Sequence, residues 1–166
     1  LQLNGKNRYN HPMKTTFFIL ILVLTLSTTP ALARETLRFK PPGDDYRDQI
    51  VIAHLEKTAP TPATPYEFAR VDLNGDGIPE YIARQAQADG IKVTPHQILS
   101  LRRRQITDWG TLPARKLEIS DKKHYGFRDI LVYNNPRNDF YHDVWEWDGT
   151  AYTKASHPPK QAPKNP

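Results

Sequence analysis

The chain has no cysteine. That absence excludes disulfides, thiol catalysis, a Cys-ligated zinc site and a lipid anchor carried on a thiol. Hydrophobic packing must hold the fold together, helped at most by a bound ion. Methionine occurs once, at Met13. Eight Tyr, six Phe and three Trp therefore carry much of the expected core area. Long apolar runs are missing too: Phe17–Leu26 is 10 residues, and a spanning helix needs about 20. Nor is there a working excess of charge. Lys6, Arg8 and Lys14 all precede Ala33, which leaves 20 of the 23 Lys and Arg against all 18 Asp and Glu. Setting aside Lys160 and Lys164 balances the body at 18 against 18. Nucleic acid is thus not an expected partner, because it selects a basic excess or a basic face.

Catalytic signatures are also lacking. His54, His96, His124 and His142 show no H-E-x-x-H or H-x-H spacing, so no zinc site is read from the sequence. There is no G-x-S-x-G and no phosphate-binding glycine loop. His142 and Asp143 are neighbours and would point to opposite faces of a strand. Paired carboxylates of the kind glycosidases use become visible only in space. No catalytic residue is assigned.

What is present begins with a secretory pattern. Lys14 supplies a basic start, Phe17–Leu26 an apolar stretch, Ser27–Pro30 a polar break, and Ala31 and Ala33 the small residues of a cleavage site. Translation is expected to start at Met13, with residues 1–12 an untranslated upstream extension and 13–33 a signal peptide. The expected product is periplasmic or secreted, without a stable membrane anchor. Residues 34–155 read as one domain. Residues 156–166, polar with four prolines, read as a disordered tail.

Within the domain, Asp44–Lys57 is the helix candidate, capped by Asp44 or Asp45, with Tyr46, Ile50, Val51 and Leu55 on one stripe. The β-branched run Ile50-Val51-Ile52 keeps a strand, and an all-β fold, open as the alternative. Prolines at 60, 62 and 65 stop the helix. After them come strand candidates at Phe68–Leu73, Glu80–Gln85, Gln97–Arg102, Gln105–Leu112, Arg115–Ser120, Gly126–Asn134, Phe140–Trp147 and Thr150–Ala155. Asp148-Gly149 between the last two marks a hairpin. The predicted fold is α+β: one N-terminal helix packed on an antiparallel meander of about six to eight strands.

One segment carries a chemical pattern. Asp72, Asn74, Asp76 and Glu80 follow D-x-N-x-D-G-x-x-E. Alternate positions aim oxygens to one side, and Ile78 can add its carbonyl, a set suited to a hard cation such as calcium. Gly75 and Gly77 permit the positive φ such a loop needs. The twelfth position, where an EF-hand keeps a bidentate Glu, is Ala83, and strands flank the loop. The segment instead resembles the strand–loop–strand calcium loop of FG-GAP and VCBS repeats, and small exported bacterial proteins with one DLNGDG hairpin and a WDG-type terminal hairpin. The resemblance spans about 15 residues and implies a calcium loop; the missing twelfth-position Glu predicts weak binding, Kd roughly 10⁻⁴–10⁻³ M, and the lack of disulfides a structural role. The competing reading is that NGDG is a metal-free hairpin turn.

Two further groups are candidates for a partner surface. Arg102 and Arg104 share a face if Arg102-Arg103-Arg104 lies in a strand; as a hairpin tip they are solvated surface. Tyr141, Trp145 and Trp147 share a face of a regular strand, and belong to a contact surface if exposed or to the core if buried. The functional expectation is a small exported binding module for an envelope or extracellular protein or glycan. The alternatives are a cell-wall or glycan hydrolase and an inhibitor or immunity-type protein.

Overall fold

The computed structural model describes residues 34–58, 64–86, 92–135, 137–138 and 140–156. The expected upstream extension, the leader and residues 157–166 of the tail lie outside them.

Among the described residues there is one helix and there are nine strands, all paired antiparallel. Strand β1 (Arg34–Thr36) precedes α1 (Tyr46–Thr58). Then follow β2 (Tyr66–Val71), β3 (Glu80–Gln85), β4 (Thr94–Arg102), β5 (Gln105–Ala114), β6 (Lys116–His124), β7 (Phe127–Tyr133), β8 (Asp143–Trp147) and β9 (Tyr152–Lys154). The α+β class holds, in a mostly-β form. The single meander sheet does not: the strands divide into a four-stranded sheet, β2-β3-β4-β5, and a five-stranded sheet, β1-β6-β7-β8-β9. The division falls at Arg115, the one residue between β5 and β6.

Alternation along the four-stranded sheet explains the layering. Ile82 lies opposite Ile98 and Ala69 opposite Ile82. These side chains meet Leu117, Ile119, Ile130, Val132, Trp147 and Tyr152 of the other sheet in the main core. Their strand neighbours face the other way, as the two-residue period requires. Phe68, Tyr81, Ala83, Leu99 and Leu101 receive Val51 and Leu55 of α1. The four-stranded sheet is therefore buried on both faces, which is why Glu80–Ala83 is buried throughout. Burying each large side chain of this kind contributes about 1.5–3 kcal/mol. The helix starts where expected: Asp45 accepts from the Arg47 N–H and Asp48 from the Gly43 N–H. Asp48 also pairs with Arg70 on β2, fixing the helix to the sheet. No helix among the described residues is long and apolar enough to cross a membrane.

Two hairpins have two-residue turns. Arg103 and Arg104 (φ 48° and 69°) connect β4 to β5, and Tyr125 and Gly126 (φ 49° and 86°) connect β6 to β7. Positive φ at both positions is the type I′ geometry, which matches strand twist. Each turn positions the last residue of the strand before it, Arg102 and His124 respectively.

Candidate functional site

The 72–80 loop is held by its own side chains. Asp72 accepts from the Gly75 N–H at 2.7 Å and the Gly77 N–H at 2.8 Å. Partial desolvation opposes ionisation of Asp72, but these backbone donors outweigh it and hold its carboxyl below the usual range. Asn74 accepts from the Asp76 N–H at 2.9 Å, and Asp76 from the Ile78 N–H at 2.8 Å. The expected ligands split into two groups. The oxygens of Asp72 and Asn74 turn to the backbone. Asp76, the Ile78 carbonyl and Glu80 converge on one cation, the Arg102 guanidinium, at 2.7, 3.3 and 2.6 Å.

Glu80 is fully buried, and its second oxygen accepts from the Leu73 N–H at 3.0 Å. Burial pushes its carboxyl above the ordinary range, against the pull of the Leu73 N–H and Arg102. A Cβ added at Gly75 would lie 3.3 Å from Lys123 Nζ, which places a second cation over the loop.

Of the residues expected at a partner surface, Arg102 is committed to this loop. Arg104 sits in the β4–β5 turn, with its guanidinium 5.0 Å from the centre of the Tyr46 ring. Arg102 and Arg104 do not share a strand face, because the strand ends at Arg102. Tyr141 is half exposed and lies before β8 begins. Trp145 packs partly against the main core, and Trp147 is buried in it, stacked on Phe127 at 4.4 Å and edge-on to Trp109 at 5.0 Å. The aromatic trio therefore divides, with Tyr141 outside and both tryptophans turned inward to fill the space between the sheets.

A second acidic centre has no counterpart in the sequence reading. Asp129 on β7, Glu146 on β8 and His124 at the end of β6 bring their ligand atoms within 4.8 Å of one another, close enough to hold a metal ion. Ile130 pairs with Trp145, so the next pair along sets Asp129 opposite Glu146. His124 bridges them, with Nδ1 at 2.6 Å from Asp129 and Nε2 at 3.5 Å from Glu146. The Asp129 hydrogen bond raises the His124 pKa above its ordinary value. The signal for this trio lies in register rather than spacing. A bulge between Ile119 and Lys123 sets how far His124 reaches along β7.

A cleft of about 220 Å³ opens beside β1, lined by Leu37, Phe39, Glu67, Arg84, Arg115 and Lys116 among others. Arg84 lies 4.0 Å from the Phe39 ring centre and pairs with Glu67 at 2.9 Å. Arg115 and Lys116 line the cleft beside them, and Lys116 pairs with Glu118 at 2.9 Å.

No family model, curated protein or solved structure matches this chain.

Proposed function

We propose that this chain is a small exported binding module, periplasmic or secreted, that takes an anionic group of an envelope or extracellular protein or glycan. The observation that carries the reading is the charge of the cleft beside β1. Arg84, Arg115 and Lys116 line it, Arg84 paired with Glu67 and Lys116 with Glu118, and Phe39 supplies an apolar wall for a ring or chain. Guanidinium and ammonium groups at one concave site select carboxylate, sulfate or phosphate. Strands of both sheets frame the cleft, so its donors are held in place before a ligand arrives. NMR titration with glucuronate oligosaccharides and with an acidic peptide tests it. Shifts should map to the cleft, and Arg84→Gln/Lys116→Gln should weaken binding roughly tenfold or more, the loss of one charge-assisted contact being worth about 1.5–3 kcal/mol. Binding equal in the double variant, or mapped elsewhere, overturns the reading.

Calcium at the 72–80 loop is a second reading, favoured by the convergence of Asp76, the Ile78 carbonyl and Glu80 on one cation. Calcium competes there with Arg102, which keeps the affinity at the weak end, Kd roughly 10⁻³ M. Melting with and without calcium tests it in the parent and in Arg102→Gln. The variant should gain more from calcium than the parent does. No shift in either removes calcium from the account.

A further inference from the structure

In the β6–β7–β8 trio one imidazole stands between two carboxylates. Asp129 is 1 % exposed. It stands behind the imidazole of His124 and engages Nδ1 at 2.6 Å. When Nδ1–H donates to that carboxylate, Nε2 presents a lone pair. What it faces, 3.5 Å away, is Glu146 Oε1, another acceptor. Two acceptors at that distance need a positive group between them, either a second proton on the ring or a bound cation. Arg102 fills that role in the 72–80 loop.

We propose that His124 Nε2 and Glu146 form a binding site for a divalent transition metal of the zinc class, with Asp129 as the positioning residue behind the histidine. Tetrahedral zinc ligands at 2.0–2.2 Å from the metal lie about 3.3–3.5 Å from each other. The Nε2 to Oε1 separation of 3.5 Å matches that span. The carboxylate–histidine arrangement behind the metal fixes the tautomer and raises ligand basicity. An imidazole in the set favours zinc, cobalt or nickel over calcium and magnesium, which prefer oxygen alone. Exposure rises outward, with side-chain values of 1 % for Asp129, 24 % for Glu146 and 42 % for His124. The remaining coordination positions therefore open to solvent, and waters or a donor from another molecule complete the shell. Two protein ligands give modest affinity.

The test is titration of the full chain with zinc chloride by calorimetry and with cobalt chloride by visible absorption. One equivalent should bind, the cobalt spectrum should be tetrahedral in intensity, and the NMR signals of the His124 ring should move first. His124→Ala and Glu146→Gln should each weaken zinc binding at least tenfold, and Asp129→Asn about 10–100-fold. His142→Ala, whose ring packs on Tyr133, should bind as the parent does. Glu146→Gln keeps the side chain's shape at a solvent-facing position, so an unchanged melting temperature separates lost ligation from lost folding. The proposal is overturned by no binding up to about 1 mM metal, by undiminished binding in His124→Ala or Glu146→Gln, or by loss of binding in His142→Ala.

Discussion

The 72–80 loop and the β6–β7–β8 trio solve the same electrostatic problem with different residues. Each has a carboxylate taken almost wholly out of water, Glu80 and Asp129. Each brings a cation or base to it from the last position of a strand, just before a two-residue type I′ turn, Arg102 in one case and His124 in the other. Arginine stays charged and offers several donors in a rigid fork, so Arg102 closes its site onto Asp76, Ile78 and Glu80 together. Histidine has two nitrogens and engages the buried acid with only one, which leaves Nε2 toward Glu146. The identity of the residue before the turn thus decides whether an acidic centre is sealed or left open to an exchangeable ion.

The largest expected effect comes from breaking the sealed site. Arg102→Met keeps the apolar stem and removes the charge, leaving Glu80 buried without its cation. The loss should be roughly 3–4 kcal/mol, toward the low end for an uncompensated buried charge, because the guanidinium is itself 32 % exposed. Urea denaturation measures it; a loss below about 1 kcal/mol, the value of a surface ion pair, would mean that Glu80 finds water or another donor. Somewhat smaller is the effect of a base buried with no acid at all. His96 is 0 % exposed beside Phe39, and burial pushes its pKa down to about 4. The unfolded chain takes up that proton near pH 6.5 and the folded chain only near 4, so the contribution is complete at neutral pH. It is lost as pH falls between those values, to a total of roughly 3 kcal/mol. Because carboxylates titrate nearby, the readout is parent minus His96→Leu. A difference that stays constant from pH 7 to 4 contradicts this account.

Local chemistry made much of the fold legible. Glu80–Gln85 is a strand with the expected bounds, and the Asp148-Gly149 turn forms with Asp148 accepting from the Thr150 and Ala151 N–H groups. The helix was readable from its acidic start and the prolines beyond it, both short-range signals. The two-sheet division was not, because Arg115 carries no turn chemistry and the choice between one sheet and two belongs to the core. For the same reason β1 is not among the strand candidates; its partner β6 lies some eighty residues away. In the acidic loop the residue types were plain, but Arg102 reaches it from β4, which spacing within the loop cannot reveal. His124, Asp129 and Glu146 come from three strands and meet only through register and a bulge, so no motif contains them.

The smallest expected effect sharpens the comparison at the turns themselves. Gly126 suits its φ of 86°, and a Cβ there would meet nothing within 4 Å. Gly126→Ala therefore measures backbone strain alone and should cost about 1 kcal/mol. The sealed site differs at the second position, where Arg104 (φ 69°) stands in place of glycine; at the first, Arg103 and Tyr125 (φ 48° and 49°) are alike. Arg103→Gly should recover about 0.5–1 kcal/mol, the left-handed strain less the entropy glycine adds to the unfolded chain. Arg104→Gly should recover less, because it also gives up the contact with the Tyr46 ring. If Arg103→Gly is neutral or destabilising instead, the turn is held by contacts of its own, and the position of Arg102 owes less to turn geometry than to the pull of Glu80.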